Sequence, residues 1–323
     1  MSRNLVTLSL TASLLAGTAL AEVPQVAVDI APVHSLVARV MDGVGEATLI
    51  VQPGASPHEY SLRPSEAAAL QSADIVFWVG PDLTPWLDGA LDTLAGDATV
   101  IELLESDGTI ELPMREDALF EAHEHGDHDD HDEHEEHDEH AEDHDADHEG
   151  HDHGDHDPHA WLSPDNGAIW LNTIAATLSA ADPDNAGAYY ANATAGRAEI
   201  EALKSEIATI LDPMRDRNFI VFHDAYQYFE SAFDFPASGA ISVSDATDPS
   251  PARIAEIQAR VADQGVTCVL SEPQFNAGIL AAVMDRTDAH TGVLDPLGSD
   301  LEPGAALYPQ MLRNLATSLA ECL

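Results

Sequence analysis

Apolar positions along this chain follow two periods. Short β-branched and aromatic runs, Val26-Ala27-Val28, residues 48–51 and residues 74–79, alternate with stretches whose apolar residues recur at helical spacing. The run Ile75-Val76-Phe77-Trp78-Val79 is continuously apolar, as suits a strand buried on both faces. Helices are expected at 34–41, from Pro64 onward and at 83–94, with Pro64 at the first helical position behind Arg63. A strand near Val100-Ile101 closes this half.

The scheme then repeats. Strands are expected at 219–222, 240–243, 267–270 and 292–294, and helices at 225–233, 251–262, 275–284 and from about Ala305 to the end. Such alternation predicts an α/β fold of two lobes, each a parallel sheet flanked by helices. Between the lobes, residues 185–211 lack proline, and Ile200, Leu203, Ile207 and Ile210 keep the helical period. One long rigid helix of about 40 Å would join them. A stiff connector limits closure to a small tilt, so release of a ligand would rely on movement of the loops around His159 and His223.

The first residues read as a secretory signal over 1–21. Arg3 supplies the positive region, an apolar stretch follows, and Ala19-Leu20-Ala21 fits the cleavage rule, so the mature chain would begin near Glu22. The run is short for a membrane span, and no second apolar stretch of that kind follows. The chain is therefore expected in the periplasm, organised as an N-terminal lobe over 22–184, the connecting helix over 185–211 and a C-terminal lobe over 212–323.

Charge sharpens the picture. Twelve basic residues against 58 acidic ones give a net charge of −46, which excludes nucleic acid and anionic lipid as partners and favours cations. Residues 121–157 hold twelve histidines and nineteen acidic residues, with no Lys, Arg or aromatic residue. Such a segment cannot bury enough apolar surface to offset its ordering entropy, so a disordered insert is expected. Its histidines are His123, His125, His128, His131, His134, His137, His140, His144, His148, His151, His153 and His156. Imidazole with carboxylate suits zinc, copper, nickel and cobalt over magnesium or calcium, so the insert reads as a low-affinity metal collector. The competing reading is a solvated acidic linker.

Specific capture needs fixed ligands. Five histidines lie outside the insert: His34, His58, His159, His223 and His290. His58 sits in a loop stiffened by Pro53 and Pro57, His159 follows Asp157-Pro158 where ordered sequence resumes, and His223 directly follows a strand. Ligand sites in α/β sheets form past the carboxyl ends of strands, so these three are candidates for one shared site. His34 and His290 read as helix-start and surface residues. Trp161 reads as packing that orients the His159 loop, and Asp224 as the cap of the following helix rather than an acceptor behind His223.

The motifs PGASPHEYSLRPS (53–65), PHAWLSP (158–164), FHDAYQYF (222–229), SEPQF (271–275) and LDPLG (294–298) resemble the zinc-binding proteins of the cluster A-I (cluster 9) periplasmic solute-binding family. The likeness runs through nearly all the mature sequence. It implies a carrier that captures Zn²⁺ between two lobes and delivers it to the membrane permease of an ABC importer with its cytoplasmic ATPase. By resemblance His58, His159 and His223 are the ligands, with Glu59 or water completing the set. Asp295 matches the position where manganese-binding relatives place a carboxylate ligand. A monomer is expected.

Cys268 and Cys322 form an even count in an oxidising compartment, which invites a disulfide. The alternative is a buried structural thiol with a frayed terminal one; the resemblance implies the bridge. Rival functions are a manganese or iron carrier of the same fold, a periplasmic zinc buffer or chaperone driven by the insert, and a zinc hydrolase or hydratase. Against the last, the chain has no His-Glu-x-x-His motif.

Overall fold

The structure is a computed structural model that describes residues 23–115, 156–242, 249–274, 277–285 and 287–323. The expected signal sequence over 1–21 and most of the histidine-rich insert, including its first eleven histidines, lie outside the described residues. Among the described residues no helix is long and apolar enough to cross a membrane.

The N-terminal sheet comprises β1 (Val26–Val28), β2 (Ala47–Leu49), β3 (Ile75–Trp78) and β4 (Thr99–Glu102), all parallel, in the order β2-β1-β3-β4. Helices α1 (Ala31–Val40), α2 (Pro64–Ser72) and α3 (Pro85–Leu94) connect them. After the lobe's last strand come α4 (Pro164–Ala181) and the connector α5 (Ala186–Leu211). The C-terminal sheet comprises β5 (Phe219–His223), β6 (Ala240–Ser242), β7 (Cys268–Ser271) and β8 (His290–Val293), ordered β6-β5-β7-β8 and again parallel. Its helices are α6 (Gln227–Phe233), α7 (Pro251–Asp263), α8 (Ala277–Met284) and α9 (Leu307–Cys322).

Strand alternation divides the core. Val26, Val28, Ile75 and Phe77 face one large core, and Ala27, Val76 and Trp78 face a smaller one private to the N-terminal lobe. Likewise Phe219 and Val221 face the large core, while Ile220 and Phe222 face a core private to the C-terminal lobe. The large core is continuous through both lobes beneath α1, α4, α5 and α9. The long connector is thus packed along much of its length, with Tyr189, Ala193, Ile200, Leu203, Ile207 and Leu211 buried.

Helix α4 is the element that the strand-helix alternation leaves unassigned. Its signals are nonetheless local: Pro164 takes the first helical position, the Ser163 hydroxyl accepts the Asn166 N–H at 3.3 Å, and Trp170, Leu171, Ile174, Ala175 and Leu178 form the buried stripe. Cys268 and Cys322 are disulfide-bonded, Cα atoms 5.7 Å apart, which ties the end of α9 to the start of β7 across 54 residues. Closing a loop of that length stabilises by about 4 kcal/mol through the unfolded chain.

Two residues that composition groups with the insert are ordered. His156 pairs with Pro113 in an antiparallel bridge, and the Asp157 N–H donates to the Leu112 carbonyl at 2.8 Å. His156 also lies 3.6 Å from Glu111.

Candidate metal centre

His223 is the last residue of β5, one of the two inner strands of its sheet. Phe219 pairs with Cys268 and Ile220 with Val269, and continuing that register puts His223 beside Glu272, just past β7. The two side chains meet there, His223 Nδ1 at 2.6 Å from Glu272 Oε1, both buried. Gln274 donates to the other Glu272 oxygen at 2.8 Å, fixing the carboxylate in turn.

His159 sits between Asp157 and a 3-10 turn, Ala160–Leu162. Asp157 Oδ1 receives the His159 backbone N–H at 3.0 Å and lies 2.7 Å from Nδ1 of its ring. Burial pushes the Asp157 carboxyl up to about 7, against the opposing pull of the His159 N–H and Arg115. The buried Trp161 packs beside the ring, centroids 5.3 Å apart, and its indole donates to the Pro296 carbonyl at 2.8 Å.

His58 comes from the irregular loop after β2 and is half-buried. Trp86, at the start of α3, donates its indole N–H to the preceding carbonyl of Pro57 at 2.7 Å. Tyr60 donates to Glu66 at 2.8 Å, and Glu66 also accepts the Arg63 N–H at 2.7 Å to fasten the start of α2. Both prolines of the loop, with these fastenings, hold the chain in a conformation that no strand or helix provides.

The three imidazoles converge. His58 Nε2 lies 3.3 Å from His159 Nε2, and His223 Nε2 lies 3.4 Å from the same atom. All three ligand atoms fall within 4.8 Å of one another. A proton on Nδ1 of His159 and of His223, donated to the carboxylates behind, leaves both Nε2 lone pairs turned toward each other. Two lone pairs at that separation repel unless a cation lies between them. Zinc bound to nitrogen at about 2.0–2.1 Å in a tetrahedron places its ligand atoms roughly 3.3–3.4 Å apart, which matches both separations. Pro57, Trp161, Pro296 and Leu297 line the cleft around the rings.

Neither Glu59 nor Asp295 belongs to this group of three. Glu59 is exposed in the His58 loop. Asp295 accepts the N–H groups of Leu297 and Gly298 on one oxygen, at 3.0 and 2.9 Å, and the N–H and hydroxyl of Ser299 on the other, both at 2.6 Å. Its carboxylate is thereby engaged in shaping the turn after β8.

Asp224 does not cap α6, whose boundary residue is Tyr226 and has no side-chain cap. Instead Arg115 reaches Asp224 at 3.0 Å and Glu230 at 2.8 Å. Burial pushes the Asp224 carboxyl up to about 7, partly offset by Arg115. The expected cap fails because two more residues separate Asp224 from the helix, and a buried carboxylate seeks the guanidinium instead. His34 lies in the first turns of α1, buried, with Nε2 3.1 Å from the Ala47 carbonyl; His290 is exposed at the start of β8.

Two residues that touch the rings escape the reading of sequence alone, Glu272 and Asp157. Glu272 stands in the quoted 271–275 motif, but only strand register brings it to His223; Asp157 is grouped by composition with the insert, one residue before the 158–164 motif.

The sequence matches the family described as ZnuA, "Zinc-uptake complex component A periplasmic", over residues 26–322. It is 49% identical over 331 residues to the high-affinity zinc uptake system protein ZnuA of Brucella abortus (strain 2308), covering 99% of both chains. It is 44% identical to the protein of the same name from Paracoccus denitrificans (strain Pd 1222), over 94% of this chain and 93% of that one. Among solved structures, a zinc-bound ZnuA deletion mutant is similar in fold, with TM-score 0.72 and 24% identity over 93% of this chain and 98% of that one. FpvC of Pseudomonas aeruginosa, solved in complex with Mn²⁺, has TM-score 0.73 and 19% identity over the same shares. The fold therefore accommodates more than one metal, and the donor atoms must decide which.

Proposed function

The chain belongs to the ZnuA family of periplasmic zinc-uptake components, and on that premise we propose that His58, His159 and His223 hold the zinc ion that it carries. The protein is the solute-binding component of a zinc importer: it captures Zn²⁺ between two lobes and delivers it to an ABC permease served by an ATPase. Zinc is the cargo, and the family is one of carriers rather than enzymes.

The observation that carries the ligand assignment is the pair of Nε2 separations, 3.3 and 3.4 Å, with the opposite nitrogens of His159 and His223 against carboxylates. Three neutral imidazoles suit a four-coordinate zinc, whereas Mn²⁺ favours oxygen-rich sets with more ligands. The fourth position falls to water or Glu59, because Asp295 is committed to its own turn. A weak fourth ligand keeps the ion releasable, as transport requires. Glu272 and Asp157 fix ring orientation and strengthen the imidazoles as donors. The histidine-rich insert serves as a low-affinity collector, the signal sequence directs export, and the carrier acts as a monomer without nucleic-acid partners. No turnover of esters or CO₂ is expected.

Competition decides the metal. In a chain lacking residues 121–155, one equivalent of Zn²⁺ is expected to bind and to resist a large excess of Mn²⁺. Displacement by manganese would refute the three-imidazole assignment.

A further inference from the structure

By chain order His58 and His159 belong to the N-terminal lobe and His223 to the C-terminal lobe; the hydrogen bonds group them otherwise. The segment bearing His159 is fastened to the C-terminal lobe on both sides. Before His159, Tyr228 of α6 donates its hydroxyl to the Asp157 carbonyl at 2.9 Å and accepts the Leu112 N–H at 2.9 Å. Arg115, on the stretch paired with Asp157, binds the buried Asp224 and Glu230 of the same lobe.

After His159, Tyr308 of α9 directs its hydroxyl at the Trp161 carbonyl, 2.9 Å away, and the Ser163 carbonyl, 3.2 Å away. The Trp161 indole meets Pro296, in the C-terminal lobe. The ring of Tyr308 is 1% exposed and fills space that Gly167 leaves, since a Cβ there would stand 2.8 Å from the ring's Cζ. Helix α9 is itself anchored to β7 by the disulfide. His58 has the opposite attachment. The carbonyl before it is held by Trp86 and the tyrosine after it by Glu66, both in the N-terminal lobe.

Resting on the zinc-carrier reading, we propose that His159 and His223 form one preassembled half-site, with Tyr228, Tyr308 and Arg115 as its positioning residues, and that zinc is taken up and released by the approach and withdrawal of His58. The site divides one ligand against two, and the division does not follow chain order. A fixed pair of imidazoles receives the ion with little reorganisation, and His58 closes the shell. Loss of one short zinc–nitrogen bond, about 2.0–2.1 Å, needs only a displacement on the order of 1 Å. The shared core beneath α1, α4, α5 and α9 permits a tilt of that size without a hinge.

The test observes imidazole ¹H–¹⁵N signals in the full-length protein without zinc, assigned with His58→Gln, His159→Gln and His223→Gln. His159 and His223 should show protected, hydrogen-bonded Nδ1–H protons before zinc is added, with only Nε2 shifting afterwards. His58 should be averaged until zinc binds. In parallel, Tyr308→Phe keeps the ring and removes the hydroxyl. It should speed zinc release into excess chelator about fivefold, the factor that one ordinary hydrogen bond carries. Tyr189→Phe, which removes a buried tyrosine bond of 2.9 Å to Asp182 at the α4–α5 junction, should leave that rate unchanged. An averaged His159 ring in the zinc-free protein, or equal release rates for the two variants, would overturn the proposal while leaving the carrier reading intact. Failure of the unaltered chain to bind one tight zinc would overturn both. Should Tyr308→Phe not fold, the ring signals of the unaltered chain decide alone.

Discussion

In the N-terminal sheet the lobe's first strand lies between its second and third, β2-β1-β3-β4, and the C-terminal sheet repeats that order as β6-β5-β7-β8. The two lobes diverge at the carboxyl end of that first strand. After β1 stands Asp29, fully buried, whose two oxygens accept the N–H groups of Ile30 and Val79 at 2.7 Å each. Burial pushes its carboxyl up to about 7. At the end of β5 stands His223, with Glu272 behind one nitrogen and the other turned toward His159. One lobe uses its strand end to tie its own sheet together and presents His58 from a half-buried loop; the other carries His223 on the strand itself. On the proposed ligand set, a shared topology delivers one compliant ligand and one rigid ligand, and chemistry at a single strand end separates them.

Histidine deletions should break this contrast most visibly. His58→Ala and His223→Ala are each expected to lower zinc affinity by more than about a hundredfold, beyond the loss typical of residues behind the ligands. His223→Ala should be the worse, because it removes half of the rigid pair. Chelator competition measures both, and equal losses would erase the distinction. Next comes Glu272→Gln, expected to weaken zinc by about tenfold to a hundredfold through the loosened His223 ring. Asp29→Asn should lower the melting temperature and leave zinc affinity unaltered; an affinity loss there would mean that both strand ends serve the metal.

Removal of residues 121–155 is a milder change. One tight zinc should survive in titration calorimetry while the weak sites disappear, and loss of the tight site would place the specific ligands in the insert. The smallest effect concerns Glu102, at the end of β4. Burial first, then Glu105, Asp82 and Asp88, push its carboxyl up to about 7 from 4.5. Between those values the unfolded chain has released the proton that the native chain retains, so stability falls as pH rises through this window. Glu102→Gln should therefore raise the melting temperature at pH 8 and leave it unchanged at pH 4. Zinc affinity itself should weaken below about pH 6, where imidazole protonates and ceases to ligate.

Much of this architecture is legible in the sequence because its signals are local. Continuous apolar runs such as 75–79 require strands covered on both faces, and Pro64 and Pro251 begin helices where the structure starts them. The convergence of His58, His159 and His223 follows from loop positions at strand ends together with family resemblance. Other features depend on contacts that no window contains. Glu272 reaches His223 through a register between strands 49 residues apart. Asp224 sits where a helix cap is expected and is captured by Arg115, 109 residues away. Helix α4 is the exception: its cap, proline and apolar stripe are all local, yet alternation of strand and helix gives no reason to look for a helix there.

The central claim is that one zinc ion is gripped by three imidazoles from distant parts of the chain. Zinc K-edge X-ray absorption on the chain lacking residues 121–155, loaded with a single equivalent, addresses it directly. The account predicts three histidine nitrogens at about 2.0–2.1 Å and one lighter-weight oxygen contribution. A shell dominated by oxygen, or one with fewer than three imidazoles, would contradict it.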